Sequence, residues 1–143
     1  MGVLDEKFLP PADMPDFHRP FWEALKAHRL EAQQCEAGHL RFIPTEICPH
    51  CGSQEWTWQP LSGRGTVYTY TVVHRAPTPA YQADAPYVLA HVEMEEGIRV
   101  IGNVIGCEPA TVRIGMPVEV AFRDVSEEWT LYHFKPVEGP YNV

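Results

Sequence analysis

No stretch of about 18 consecutive apolar residues, the length that a membrane-spanning helix needs, occurs in the 143-residue sequence. A basic leader followed by an apolar core is missing as well, so no secretory signal is expected and the expected compartment is the cytoplasm. Cysteine is scarce, with four residues in all. Without a secretory context these suit reduced thiols or metal ligands better than a disulfide framework, because cytosolic redox buffers keep thiols reduced. Strong bases are outnumbered, 11 lysines and arginines against 19 acids, for a net charge of -8. Such a chain repels a phosphate backbone, which makes general nucleic-acid binding a poor expectation. A phosphate-cradling glycine loop is absent too: Gly63 and Gly65 flank Arg64 without the lysine and the following helix that such a loop requires. No internal repeat or low-complexity tract is found.

What is present is the composition of a globular protein, 45% hydrophobic and 21% charged, with room for one ordinary domain or a small domain and an appended module. Residues 1–18 carry several prolines and no clear period, and read as an extended arm whose Phe8, Met14 and Phe17 lie against something. Pro20 suits a first helical turn. Phe21, Ala24, Leu25 and His28 then recur at helical spacing, which predicts a short amphipathic helix ending near His28. Such a stripe packs on its own domain more often than on a partner. Trp22, one step off the stripe, widens the apolar face.

Residues 33–53 read QQCEAGHLRFIPTEICPHCGS. Cys48 and Cys51 have the two-residue spacing that wraps a metal while turn amides donate to the sulfurs. Cys35 stands where a second such turn should begin, but Gly38, the residue directly after the intervening pair Glu36 and Ala37, has no side chain to ligate. His39 is one residue late, and an imidazole reaches further than a thiolate. Two readings follow. Cys35, His39, Cys48 and Cys51 form a three-sulfur, one-nitrogen Zn2+ site, closed and therefore structural; or the metal has been lost, and packing of Phe42, Ile43, Trp56 and Trp58 holds the hairpins. Either way the plan is that of a zinc ribbon over residues 30–60, after an arm and helix over residues 1–29.

From Gly65 onward the text changes to β-branched and aromatic alternation. Strands are predicted over residues 66–75, 87–94, 98–105, 117–123 and 129–134, with Glu95, Glu96 and Gly97 as a hairpin turn and Glu93 beside it on an exposed tip. Five short strands over residues 61–143 suggest a five-stranded OB-type barrel. The fold class expected is mainly β: an amino-terminal helix, a zinc ribbon and a carboxy-terminal five-stranded barrel. Residues 76–86 are long and proline-rich for a connection and carry the aromatic Tyr81; long ordered loops often carry function.

No catalytic residue is assigned. Cys107 lies just past the third predicted strand, where a lone thiol suits a small buried side chain better than a nucleophile. His74, His91 and His133 fall on predicted strands, and nothing in the spacing brings one to Cys107 with an acid behind it. Tyr68 and Tyr70 fall on one strand face by period, as in barrels that stack single-stranded nucleic acid. The basic groove that accompanies such stacking is missing, so the nucleic-acid module is only the alternative reading.

The order of parts, with CPHCGS, GRGTVYTYTVVHRAPTPAY, PYVLAHVEMEEGIRVIGNVIG and IGMPVEVAF, resembles the DUF35 family across nearly the whole chain. The family's usual first knuckle has two cysteines, and Gly38 replaces the second here. The resemblance implies a non-catalytic subunit, hetero-oligomeric with a thiolase-like protein (a thiolase, an acyltransferase or a thiolase-like aldolase of lipid or steroid side-chain metabolism) and sharing that partner's acyl-CoA substrate. On this reading Phe17, Phe21, Trp22 and residues 76–86 form the docking surface. Contacts with CoA phosphates then fall to Arg64, Arg75 or Arg99.

Overall fold

A computed structural model describes residues 13–77 and 79–137. Phe8 and most of the expected arm lie outside them. The rest of the arm begins with Met14, which is buried, and enters a 3-10 turn at Asp16–His18 where Phe17 meets the ring of Trp56 edge-on. Helix α1 (Arg19–Lys26) follows, with Pro20 in its first turn and Phe21, Ala24 and Leu25 buried. It stops two residues before the predicted end because His28 takes a left-handed φ of 59°, a conformation that ends a helix and leaves the last carbonyls to be met by the following amides.

Two sheets succeed one another. The first is small, with order β2-β1-β3, from β1 (Glu31–Cys35), β2 (Leu40–Arg41) and β3 (Trp56–Pro60). The second is a closed barrel of order β4-β5-β6-β8-β7, from β4 (Arg64–Val73), β5 (Tyr87–Met94), β6 (Arg99–Val104), β7 (Pro117–Asp124) and β8 (Thr130–Pro136). Neighbours run antiparallel except β6 and β8, which meet in parallel at Val104 and Phe134. The expected mainly β architecture with a five-stranded barrel is what the chain adopts.

Alternation explains the core. Along β5, Val88, Ala90, Val92 and Met94 are buried while His91 and Glu93 face out. They meet Val67, Val100, Val104, Met116, Val118 and Phe134 inside the barrel, and Phe21, Leu25 and Leu30 extend the same core toward the first sheet. Gly102 sits under two rings: a Cβ there would come within 3.0 Å of Phe134 and 3.2 Å of Tyr132, so the aromatic packing requires the missing side chain.

Several expectations are corrected. Strand β4 begins and ends two residues earlier than predicted, since Gly65 already pairs with Met94 and the ladder stops where Val73 meets Tyr87, the first residue of β5. His74 therefore lies just past the strand. Tyr68 and Tyr70 do not share a face. The register shifts between Val67 and Thr69, making Tyr68 an extra bulged residue; a bulge breaks the period of two. Tyr70 packs on the core opposite Ala90, whereas Tyr68 is exposed with the Arg99 guanidinium 3.6 Å from its ring centre. The stacking platform of the nucleic-acid alternative is thereby lost. Residues 76–86 include a short helical turn, α2 (Pro79–Gln82). The glutamates of the hairpin tip are engaged: Glu95 pairs with Arg64, Glu93 with Arg99, and Glu96 accepts the Ser62 amide. Ile43, expected to help hold the ribbon, is 61% exposed.

Candidate metal centre and groove

The end of β1 and the turn after Glu46 face one another and bring four donors together. Cys35 Sγ is 3.3 Å from His39 Nδ1 and 3.7 Å from Cys51 Sγ, and Cys48 Sγ is 3.8 Å from the same His39 nitrogen. All four ligand atoms lie within 4.8 Å of one another. A tetrahedral zinc with Zn–S of about 2.3 Å and Zn–N of about 2.0 Å sets its sulfurs about 3.8 Å apart and sulfur from nitrogen about 3.5 Å. The spacing of the donors fits that ion.

The backbone is shaped for the same task. Cys35 accepts from the His39 amide through its sulfur at 3.4 Å and donates its own amide to the His39 carbonyl at 3.0 Å. That one-residue-wider turn is closed by Gly38, whose φ of 90° is left-handed, a conformation costly for any residue with a Cβ. The glycine thus serves the turn that delivers His39. At the other turn burial pushes the Cys48 thiol up, but the amides of His50 and Cys51, with the Cys51 and Cys35 thiols, outweigh it and bring it down to about 6. Cys51, whose sulfur accepts from the Ser53 amide, is nonetheless held above the usual thiol range by burial and by the neighbouring Cys48 and Cys35. The ring of His50 lies 5.1 Å from that of His39 and outside the group of four.

On the barrel a groove of about 600 Å³ is lined by Trp22 of α1, Tyr81 of α2, Tyr87, Ile101, Ile105 and Leu131, among others. Trp22 and Tyr81 are 59 positions apart in the numbering and share this one hollow. Phe21 does not: it is 6% exposed and packs against Phe42 and Tyr132, so this member of the expected docking surface belongs to the core. Cys107, His133 and Asp84 also line the groove, a grouping that strand periodicity could not predict. His91 lies on β5 and is exposed. Nucleophilic chemistry needs a thiol and a base bonded to one another, which a shared lining does not by itself supply. Of the three candidate phosphate contacts, Arg64 is held by both carboxylate oxygens of Glu95, at 3.0 and 3.4 Å, and Arg99 by Tyr68 and Glu93.

Residues 22–57 match a family model described as "ChsH2, rubredoxin-like zinc ribbon domain", and residues 58–123 one described as "ChsH2, C-terminal OB-fold domain". Among solved structures, the chain is similar to one called "Ltp2-ChsH2(DUF35) aldolase", at 41% identity and a TM-score of 0.77, with 89% of this chain and 98% of that chain covered. The chain belongs to the DUF35 family. A DUF35 domain-containing scaffold protein of Methanocaldococcus jannaschii is 44% identical over 127 residues, 82% of this chain and 89% of that protein. A probable enoyl-CoA hydratase alpha subunit of Thermomonospora curvata is 42% identical over 132 residues, covering 91% of this chain. This DUF35 chain spans only 41% of the length of that relative. The matched ribbon and the Cys3His group together indicate a structural zinc. No helix of the described residues is long and apolar enough to cross a membrane.

Proposed function

We propose that this chain is a non-catalytic accessory subunit that docks on a thiolase-like enzyme (a thiolase, an acyltransferase or an aldolase) and shares its acyl-CoA substrate in a hetero-oligomer. The observation that carries the reading is the groove that Trp22 and Tyr81 both line. Two aromatics from separate elements lining one hollow form the kind of anchor that dominates protein interfaces. The relatives support a partner enzyme: one is a scaffold protein, one a probable hydratase alpha subunit and one an Ltp2-ChsH2(DUF35) aldolase. Of the three candidate arginines, Arg64 and Arg99 are engaged by Glu95 and Glu93, which leaves Arg75, exposed just past β4, to meet a CoA phosphate.

The metal belongs to the same reading. Cys35, His39, Cys48 and Cys51 would hold Zn2+, the imidazole through Nδ1; the ion supplies cohesion between two turns and, with four protein ligands, no open position for chemistry. The proposed boundaries, residues 1–29, 30–60 and 61–143, are supported by the bond from the Leu61 amide to the Leu30 carbonyl at 2.8 Å, which pins the two ends of the ribbon together.

The test is co-purification of the full chain from its native cell, followed by the Trp22→Ala, Tyr81→Ala double variant. The expected result is an acyl-CoA enzyme subunit that elutes with the wild type and is lost from the variant, which stays folded with its melting temperature lowered far less than by Phe21→Ala. An enzyme that neither co-elutes nor changes in activity on addition of the chain would sink the proposal.

A further inference from the structure

Residues 42–48 run from β2 to the second cysteine turn, and strand pairing does not hold them. They are held from inside. Gln33 and Arg41 are 1% and 6% exposed, two of the three buried polar residues described. The Gln33 Oε1 accepts from Arg41 Nε and from the Thr45 amide, each at 2.8 Å. The Thr45 carbonyl accepts from Gln33 Nε2 at 3.2 Å and from Arg41 Nη2 at 3.1 Å. Thr45 Oγ1 then donates to the Ile47 carbonyl at 2.9 Å, and the Arg41 guanidinium lies 5.3 Å over the Trp56 ring. Burying an amide and a guanidinium is costly unless they are bonded. Here three of the four bonds meet the backbone of Thr45 and the fourth joins Arg41 to Gln33, with Arg41 Nη1 the one atom of the pair buried without a partner among the described residues.

On either side of that anchored residue two isoleucines face solvent, Ile43 at 61% and Ile47 at 49% exposure. β-Branched side chains are stiff, and the loop beneath them is clamped, so little freedom remains to be lost on docking. We infer that residues 43–47 are a prebuilt apolar knob that seats in an apolar socket with a basic rim on the enzyme subunit.

Charge selects that occupant. Over residues 30–60 the one lysine or arginine is the buried Arg41, while Glu36, Glu46 and Glu55 are exposed, Glu46 between the two isoleucines. A second copy would set these acids against its own, and nucleic acid would be repelled. A socket rimmed by lysine or arginine complements both the apolar and the acidic parts. The inference rests on the accessory-subunit reading for the identity of the partner, and it adds a second contact on the ribbon.

The test measures affinity between the full-length chain and the acyl-CoA enzyme subunit that co-purifies with it. The Ile43→Asp, Ile47→Asp pair is expected to weaken binding by about tenfold or more, with zinc content and melting temperature unchanged. Ile114→Asp, at a site 69% exposed elsewhere in the chain, is expected to do nothing. Glu46→Lys is expected to weaken binding, and raised salt to weaken the wild type. Should the double variant disturb the fold, the milder Ile43→Ser, Ile47→Ser pair takes its place. Wild-type affinity in the isoleucine variants would overturn the knob, and if Trp22→Ala still weakened the complex, the accessory reading would survive. Unchanged or tighter binding by Glu46→Lys would overturn the basic rim. Absence of any acyl-CoA enzyme from the wild-type preparation would overturn both proposals.

Discussion

The ring of Tyr132 meets that of Phe21 edge-on, with centroids 6.1 Å apart, and so joins the first helix to the last strand. Phe42 of the ribbon packs against both rings, and the Tyr132 hydroxyl donates to the Ile101 carbonyl of β6. Helix, ribbon and barrel therefore share one aromatic cluster. Burial pushes the Tyr132 phenol far above its ordinary range, as expected for a hydroxyl kept neutral to serve as a donor.

Phe21 and its neighbour Trp22 are expected to separate stability from binding. Phe21→Ala should destabilise the fold by about 3–5 kcal/mol, the usual cost of emptying a buried phenylalanine site. Trp22→Ala, which removes a half-buried groove wall, should shift the melting temperature far less and weaken partner retention more. Thermal melts alongside pull-downs of each variant check the contrast.

Loss of the metal should loosen the ribbon before the barrel. His39→Ala and Cys48→Ser are each expected to lose stoichiometric zinc and to melt lower than the wild type. Strong chelation of the wild type should have the same effect. A His39→Ala protein that kept one zinc per chain by elemental analysis would show that His39 is not the fourth ligand.

Gly38→Cys supplies the thiol that the family's usual first knuckle has. It should not repair the site, because the left-handed φ of Gly38 costs a residue with a Cβ about 1–2 kcal/mol. The expected outcome is one zinc per chain and a lower melting temperature; a higher one would show that the wider turn is not the cause of the glycine.

Acid should act through Asp124. The Thr130 hydroxyl at 2.6 Å, and then His28 at 2.9 Å, hold its carboxyl below the ordinary value of 3.8. A depressed folded value means stabilisation that is fully present above the ordinary value and lost as pH falls through the folded one. Between about pH 5 and pH 2 the wild type should therefore lose more melting temperature than Asp124→Asn. Equal losses would remove Asp124 from the acid response.

How much of this could be read from the chain depends on the range of the interaction. The five barrel strands came from alternation, a local signal that each segment carries alone; their ends moved because Val73 stops pairing only where its partner begins. The tyrosine pair failed because a bulge is decided by the facing strand. Cys48 and Cys51 were legible from spacing, and His39 from the gap at Gly38. The buried Gln33 and Arg41 carried no signal, since polar residues in a short strand look solvated until the loop they hold is placed over them.

By itself the sequence determined the periodicities, the ribbon followed by a barrel, the charge and the four donors, because backbone geometry ties each to neighbours a few positions away. Only the tertiary structure decided that Phe21 turns inward while Trp22 and Tyr81 line one groove, and that two isoleucines stand out on a clamped loop. Those outcomes depend on which surfaces compete for the same apolar neighbours, and packing settles that competition across the whole chain at once.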